Sequence, residues 1–375
     1  MNQQEYEMTR TQFLALGCVA MLSPLIRLVP SVSVRLAGSG AWLSSILAAV
    51  PVFTLAAAGM ALVKHAGPGE GLDRVFLNVL GPFFGRVTLA VYALWFIFYA
   101  GFTLRSGADR FVTSVYQQSG PGVFIAVMLA LSLIAALGRI RALARMAELI
   151  CPILLLTVIL ILLFSLPEVN ADNLPFPTFS DAKSIAAGVI PTADVLGAAA
   201  FWAFLEGCVD PSSRSAKRAA PWILIILAIA SLLCVVSVGI FSSAWVSEMR
   251  YPFFYIVREL DILEFLQRIE ALVVAMWVFS DFVFVSLLLH MAVRILRLLF
   301  GRPVPSAPER ALSMRNARWL IPLCAVGALA VSLAIAPSAL GLEKWSDLLV
   351  PAANIGLTYV FFPFLLIIGK LRRRV

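Results

Sequence analysis

Acidic and basic side chains set inside apolar sequence are the places where this chain could do chemistry. Asp194 and Glu206 stand in the stretch 185–211, which otherwise reads as a helix of bilayer length but also carries Pro191 and the small run 197–200. Asp281 lies near the centre of a second apolar run, on one helix face with Trp277 and Phe284. Arg27 interrupts a third, just after Ser23-Pro24. Ionisable groups and helix breakers at membrane depth are costly, and they mark ligand or ion paths. Recognition is the chemistry open to them: a carboxylate can hold an amine or a cation, and a guanidinium can hold a carboxylate. Each acid also has a structural reading. Asp281 can be neutral and hydrogen-bonded to a neighbouring helix, and Glu206 can snorkel to the interface beside the basic 214–218 loop. Tyr99 and Trp95, four residues apart on one helix face, are candidates either to cap a ligand or to pack. Nothing points to an enzyme, a metal or a cofactor. The two histidines, His65 and His290, fall at span ends, and no HExxH, nucleophile or phosphate-loop motif is present. Cys18, Cys151, Cys208, Cys234 and Cys324 all lie in or beside apolar runs and read as free thiols.

These groups must be carried by membrane helices. The chain has 375 residues, 61% hydrophobic and 13% charged, against roughly 25% charged for a soluble domain. It reads as one polytopic all-α transmembrane domain covering 1–375. With about 20 residues per crossing, ten spans are expected: 11–36, 40–64, 83–108, 121–140, 146–166, 186–210, 220–245, 269–293, 317–337 and 346–370. Placing the N-terminus inside puts twenty of the 29 Lys and Arg on inner segments and eight on outer ones. That bias predicts both termini in the cytoplasm. Residues 1–10 are polar, so no cleavable signal is expected.

Two connections read as amphipathic helices. Residues 71–80 follow the second span on the inner side, and residues 252–267 follow the seventh on the outer side. Repeat one (11–166) and repeat two (186–370) therefore match, with opposite orientation. This pattern predicts a 5+5 inverted repeat of the LeuT or amino-acid-permease kind, with helices 1 and 6 interrupted near the midplane. The expected breaks are at Ser23-Pro24, where proline removes a backbone donor, and in span 6 at either Pro191 or 197–200. Arg27 and Asp194 each come out roughly 5 Å above the midplane by helix rise. An Arg27–Asp194 ion pair is therefore expected as an outer latch, or else Arg27 takes a ligand carboxylate and Asp194 its amine.

Several motifs carry a family resemblance. They are Pro30 and Ala41-Trp42-Leu43, then FWAFLE at 201–206 with Pro211, then Tyr251-Pro252, and RIEALVVAMW at 268–277. In these the chain resembles the spore germination permeases, the B subunits of GerA-type nutrient germinant receptors, within the amino acid-polyamine-organocation superfamily. The resemblance implies a ten-helix permease-like fold in the bacterial cell membrane or the inner membrane of the endospore. It also implies an A subunit and a lipoprotein C subunit as companions, and no nucleic acid. The chain departs from the family at Ser23-Pro24 and at Phe204-Leu205, where glycines are frequent. Its expected ligand is a small nutrient, an amino acid, held between spans 1 and 6. The expected contacts are Ser23, Pro24, Leu25, Ile26 and Arg27, then Tyr99, then Asp194, Gly197, Ala199, Ala200 and Phe201, and then Trp277 and Asp281. Glu206, Arg268 and Glu270 are expected to gate or brace. A cation- or proton-coupled amino-acid transporter of the same fold is the alternative, and a channel or structural subunit with a vestigial site is a third reading.

Overall fold

The computed structural model describes residues 7–64, 66, 70–114, 120–210, 216–259, 269–300, 319–335 and 339–372. These residues are almost wholly helical. Seven helices are long and apolar enough to cross a membrane, by length and composition: Arg10–Val63, Pro82–Thr113, Ile140–Glu168, Phe179–Cys208, Ala219–Glu248, Leu272–Leu299 and Gly341–Leu371. Two shorter apolar helices, Pro121–Leu137 and Leu320–Ala334, accompany them. The first of the seven contains two of the expected spans. It bends at Gly38, whose φ of 55° suits glycine. The chain then turns back, since Arg10 and Val63 line one cavity. Large apolar side chains such as Val50, Phe83, Val123 and Leu149 are about 70% exposed or more. A membrane supplies the apolar surroundings that such a surface requires.

Helix α1 (Arg10–Leu28) opens on a capping box in which Thr9 and Gln12 exchange side-chain and backbone bonds. After it come a wide π-type turn at Val29–Ser33, α2 (Val34–Ala37), α3 (Ala41–Leu47) and α4 (Ala49–Val63). The amphipathic α5 (Leu72–Leu80) buries Leu72, Val75, Phe76 and Val79, as its spacing predicts, and stops at Gly81 with φ 85°. Next are α6 (Pro82–Ser114), α7 (Pro121–Leu137), α8 (Ile140–Ser165) and α9 (Ala182–Ala198). Helix α10 (Ala216–Glu248) bends at Ser242, and α11 (Pro252–Glu259) buries Phe253, Phe254, Ile256 and Val257. The rest of the expected 252–267 helix lies outside the described residues. Helix α12 (Ile269–Leu299) packs most extensively on α6. The C-terminal part comprises α13 (Leu320–Ala334), α14 (Ala339–Lys344), α15 (Val350–Ile355) and α16 (Phe361–Leu371). π-type turns at Trp345–Leu349 and Gly356–Val360 separate the last three.

Both expected interruptions differ from their sequence form. Pro24 lies inside α1, which continues to Leu28. The break is instead a hydroxyl inserted one turn earlier. Ser280 Oγ accepts from Ser23 N–H at 2.9 Å and donates to the Val19 carbonyl at 2.6 Å. Those are the two groups that an uninterrupted helix would join directly. In span 6, Pro191 stays within α9, and the change comes after Ala198. There the chain tightens into a 3₁₀ helix over Ala199–Cys208. A further irregularity sits in α10. Ser242 has φ 67° and ψ 156°, which turns the next N–H away from Gly239. The Gly239 carbonyl accepts instead from Asn170 N–H at 3.1 Å and Asn173 Nδ2 at 2.9 Å.

Candidate functional site

A buried arginine that sequence reasoning missed organises the polar centre. Arg110, 3% exposed, donates to Asp281 Oδ2 at 2.5 Å and to Ser23 Oγ at 3.0 Å. Its guanidinium also lies 5.3 Å from the Trp277 ring centroid, in the range of a cation–π contact. One turn before it, Gly107 makes room: a Cβ there would stand 2.8 Å from Asp281 Oδ2. The pair therefore ties α6 to α12. Through Ser23 and the neighbouring Ser280 it also ties both to the inserted break in α1. Asp281 is thus paired with the Arg110 guanidinium rather than open to the cleft alone. The available signal was the face shared by Ser106, Gly107 and Arg110 on a helix assumed to end at 108.

Beside this hub lies a narrow polar cleft of about 10 Å³, room for a single water-sized group. Ser23, Pro24 and Arg27 of α1 line it, with Tyr99 and Arg110 of α6 and Asp281 of α12. Tyr99 sits edge-on to Phe284, with ring centroids 5.0 Å apart. A second cleft of about 30 Å³ shares Arg27 and Ser106 with the first. It runs toward the face opposite Arg10, past Ser31, Tyr251 and Asp347.

Arg27 stands where the two clefts meet. It donates to Ser346 Oγ at 2.8 Å. The expected Arg27–Asp194 ion pair is not formed. Asp194, 1% exposed, accepts from Asn354 Nδ2 at 2.8 Å, and Asn354 Oδ1 accepts from Trp95 Nε1 at 3.1 Å. The reason is a competing partner on the last span. The two π-type turns there flank α15, which presents Asn354 to α9 and α6. Asp194 Oδ2 and Trp277 Nε1 are buried without a hydrogen-bond partner.

The remaining expected contacts divide. Leu25 and Ile26 are each 1% exposed and belong to the apolar core. Phe201 packs edge-on against Tyr92 and Phe96 and does not line either cleft. Gly197 admits Tyr359, whose Cε2 would lie 2.5 Å from a Cβ there. Tyr359 in turn donates to the Ala193 carbonyl at 2.9 Å. Ala199 and Ala200 line a separate apolar cavity. Arg268 and the side chain of Glu270 lie outside the described residues. The cleft thus lies between α1, α6 and α12 rather than between spans 1 and 6.

Ion pairs clamp each end among the described residues. On the face carrying the N-terminus, Arg10 and Glu206 form a buried ion pair at 2.5 Å. Glu7 and Met8 donate backbone hydrogen bonds to the Cys208 carbonyl, and Asp210 donates to that of Met8. Nearby, Arg294 reaches Asp73 at 3.1 Å. Glu206 is therefore a clamp partner rather than a snorkelling acid. On the opposite face, Arg35 bridges Asp347 at 2.5 Å and Glu343 at 3.5 Å, and Arg250 pairs with Asp109 at 2.8 Å. Among the described residues no group of three or more His, Cys, Asp or Glu could hold a metal.

Comparisons with known proteins agree on the fold. A family profile described as spore germination protein matches residues 8–339. No curated protein sequence matches the chain. Among solved structures, MhsT in complex with L-phenylalanine is similar with a TM-score of 0.63 at 14% identity, over 96% of this chain and 89% of that one. A mutant of the Eremococcus coleocola manganese transporter gives 0.58 at 11%, over 96% and 78%. Mhp1, a nucleobase-cation-symport-1 transporter closed around bromovinylhydantoin, gives 0.52 at 13%, over 96% and 80%. These likenesses give a LeuT-type transporter fold in a multi-pass membrane protein.

Proposed function

Because the chain belongs to the spore germination protein family, we propose that it is a nutrient-sensing subunit that binds a free amino acid in the Arg27 cleft to trigger germination. Arg27 carries this reading. Its guanidinium donates to the Ser346 hydroxyl among the described residues, and it is set where the two clefts meet. A guanidinium so placed suits a ligand carboxylate. Tyr99 walls the cleft, and Asp194 Oδ2, which lines neither cleft but is buried without a partner, is the acceptor we assign to the ammonium once the helices part. Ligand uptake requires the helices to part, since the cleft of about 10 Å³ holds no amino acid. In this reading the protein crosses the membrane ten times as a 5+5 inverted repeat. Arg10–Val63 counts as two crossings, and the two shorter helices count as one each. Both termini are cytoplasmic, the membrane is the inner one of the endospore, and an A subunit and a lipoprotein C subunit are the companions. Similarity to MhsT, whose structure holds L-phenylalanine, supports an amino acid as the ligand class.

Spores with this receptor alone, screened against single amino acids, test the reading. At least one amino acid should trigger germination, and Arg27→Gln should raise the concentration required by tenfold or more, about 1.4 kcal/mol. An unchanged dose–response in Arg27→Gln would refute the carboxylate assignment. Accumulation of labelled amino acid by vesicles holding the chain would favour a transporter.

A further inference from the structure

A further cavity among the described residues is larger than either polar cleft. It lies on the N-terminal side of the fold, between α1, α4, the 3₁₀ segment after α9, and α10, and has a volume of about 180 Å³. Its wall is apolar except at one end, where Arg10 and Glu206 stand. Glycine and alanine carve it: a Cβ at Gly59 would meet nothing within 4 Å, and one at Gly17 would only touch the Trp202 ring at 3.6 Å. On its rim are partly exposed Ala56 and Met60 of α4 and Trp222 and Ile223 of α10. Beside them, Leu224 and Ile225 are exposed on the lipid-facing surface.

We propose that this cavity takes one acyl chain of a membrane phospholipid, with the headgroup at the level of the Arg10–Glu206 pair. Length is the first argument. Along α1 the cavity runs from Arg10 to Met21, about 16 Å at the helix rise of about 1.5 Å per residue. One leaflet of hydrocarbon is about 15 Å deep. Polarity is the second. The charged end lies at one extremity of α1 and the apolar end near its middle, which is the order of a lipid entering from that face. Arg10 Nε is buried without a partner, so a lipid ester or phosphate oxygen has a donor to meet. Volume is the third. An engineered apolar cavity of roughly 150 Å³ stays dry and binds apolar guests, and this one is larger. A chain seated here touches α1 at Gly17 and Met21 and the span 6 segment at Leu196 and Ala203. It would therefore brace the two interrupted spans beside their clamp. The proposal does not depend on the identity of the nutrient.

The test uses the full chain in nanodiscs of phosphatidylcholine with mid-chain brominated acyl groups, which quench tryptophan on contact. Seven of the eight tryptophans are replaced by Phe, leaving Trp202. That ring is 5% exposed, so lipids surrounding the protein do not reach it. We expect Trp202 to lose most of its emission in brominated relative to ordinary lipid, and to regain it when Gly59→Leu or Ala56→Leu fills the cavity. A tryptophan placed on the lipid-facing side of α8 by Leu156→Trp, where the residue is 56% exposed, should be quenched in every background, which certifies insertion and folding. Undiminished Trp202 emission while that control is quenched would overturn the proposal. So would quenching of Trp202 that survives in both filled variants.

Discussion

At the scale of single residues, the Arg110–Asp281 pair separates stability from function. Removing one partner of a buried ion pair strands a charge and costs about 3–5 kcal/mol, whereas replacing both by apolar residues is often neutral. Arg110→Leu and Asp281→Leu should each lower the thermal unfolding temperature in detergent. The double variant should recover most of that loss, yet its spores should stay unresponsive to nutrient. A double variant as unstable as either single one would show that the pair is not the centre of the hub. Asp281 was legible in the sequence as an acid in mid-span. Arg110 was not, because a ruler of bilayer length ended its helix at 108, whereas α6 runs on to Ser114. Helices that line a polar interior can exceed the hydrocarbon thickness, since their ends need not face lipid. The expectation of an Arg27–Asp194 pair rests on matching height and on spans 1 and 6 being neighbours in this fold. Height does not fix azimuth, and Ser346 and Asn354, both far along the chain, take the two groups instead.

Among the elements, the interruption of α1 is the part most open to test. The sequence located it within one turn, through Pro24. It could not supply the cause, a hydroxyl from Ser280, 257 residues beyond the backbone N–H it accepts from. With Ser280→Ala, Ser23 N–H can bond the Val19 carbonyl directly, so the net loss of stability should be about 1 kcal/mol. What is lost is the tie between α1 and α12. The nutrient dose–response should shift at least threefold while the unfolding temperature moves by only a few degrees. An unchanged dose–response would mean that the inserted hydroxyl is only a packing feature. Span 6 was legible as two alternatives, Pro191 or the small run. The small run is where the helix changes form, because Tyr359 can press against Gly197 there. Pro191, nine residues past the start of α9, stays within a helix that runs on to Ala198.

For the molecule as a whole, apolar periodicity made the helical membrane fold legible, while the closure of both ends was not, since each closure joins distant segments. The orientation proposed from basic residues can be checked with cysteines, as Cys18, Cys151, Cys208, Cys234 and Cys324 are all buried. An impermeant thiol reagent added outside should label Asp181→Cys and spare Arg139→Cys, and the reverse would invert the topology. The two closures also differ in their surroundings. The Arg10 and Glu206 side chains are 8% and 10% exposed, whereas Arg35, Glu343 and Asp347 are 38%, 40% and 24% exposed. Mobile ions screen exposed pairs over about 10 Å at 0.1 M salt and about 3 Å at 1 M, and reach buried pairs far less. Ionic strength should therefore loosen one end only. Between about 0.1 and 1 M sodium chloride, Ser31→Cys in the cleft it shares with Arg35 should react faster, while Ala203→Cys beside the buried clamp should keep its rate. If the Arg35 end faces outward, as proposed, the small-ion content around the protein would then set how readily that end opens, before any ligand arrives.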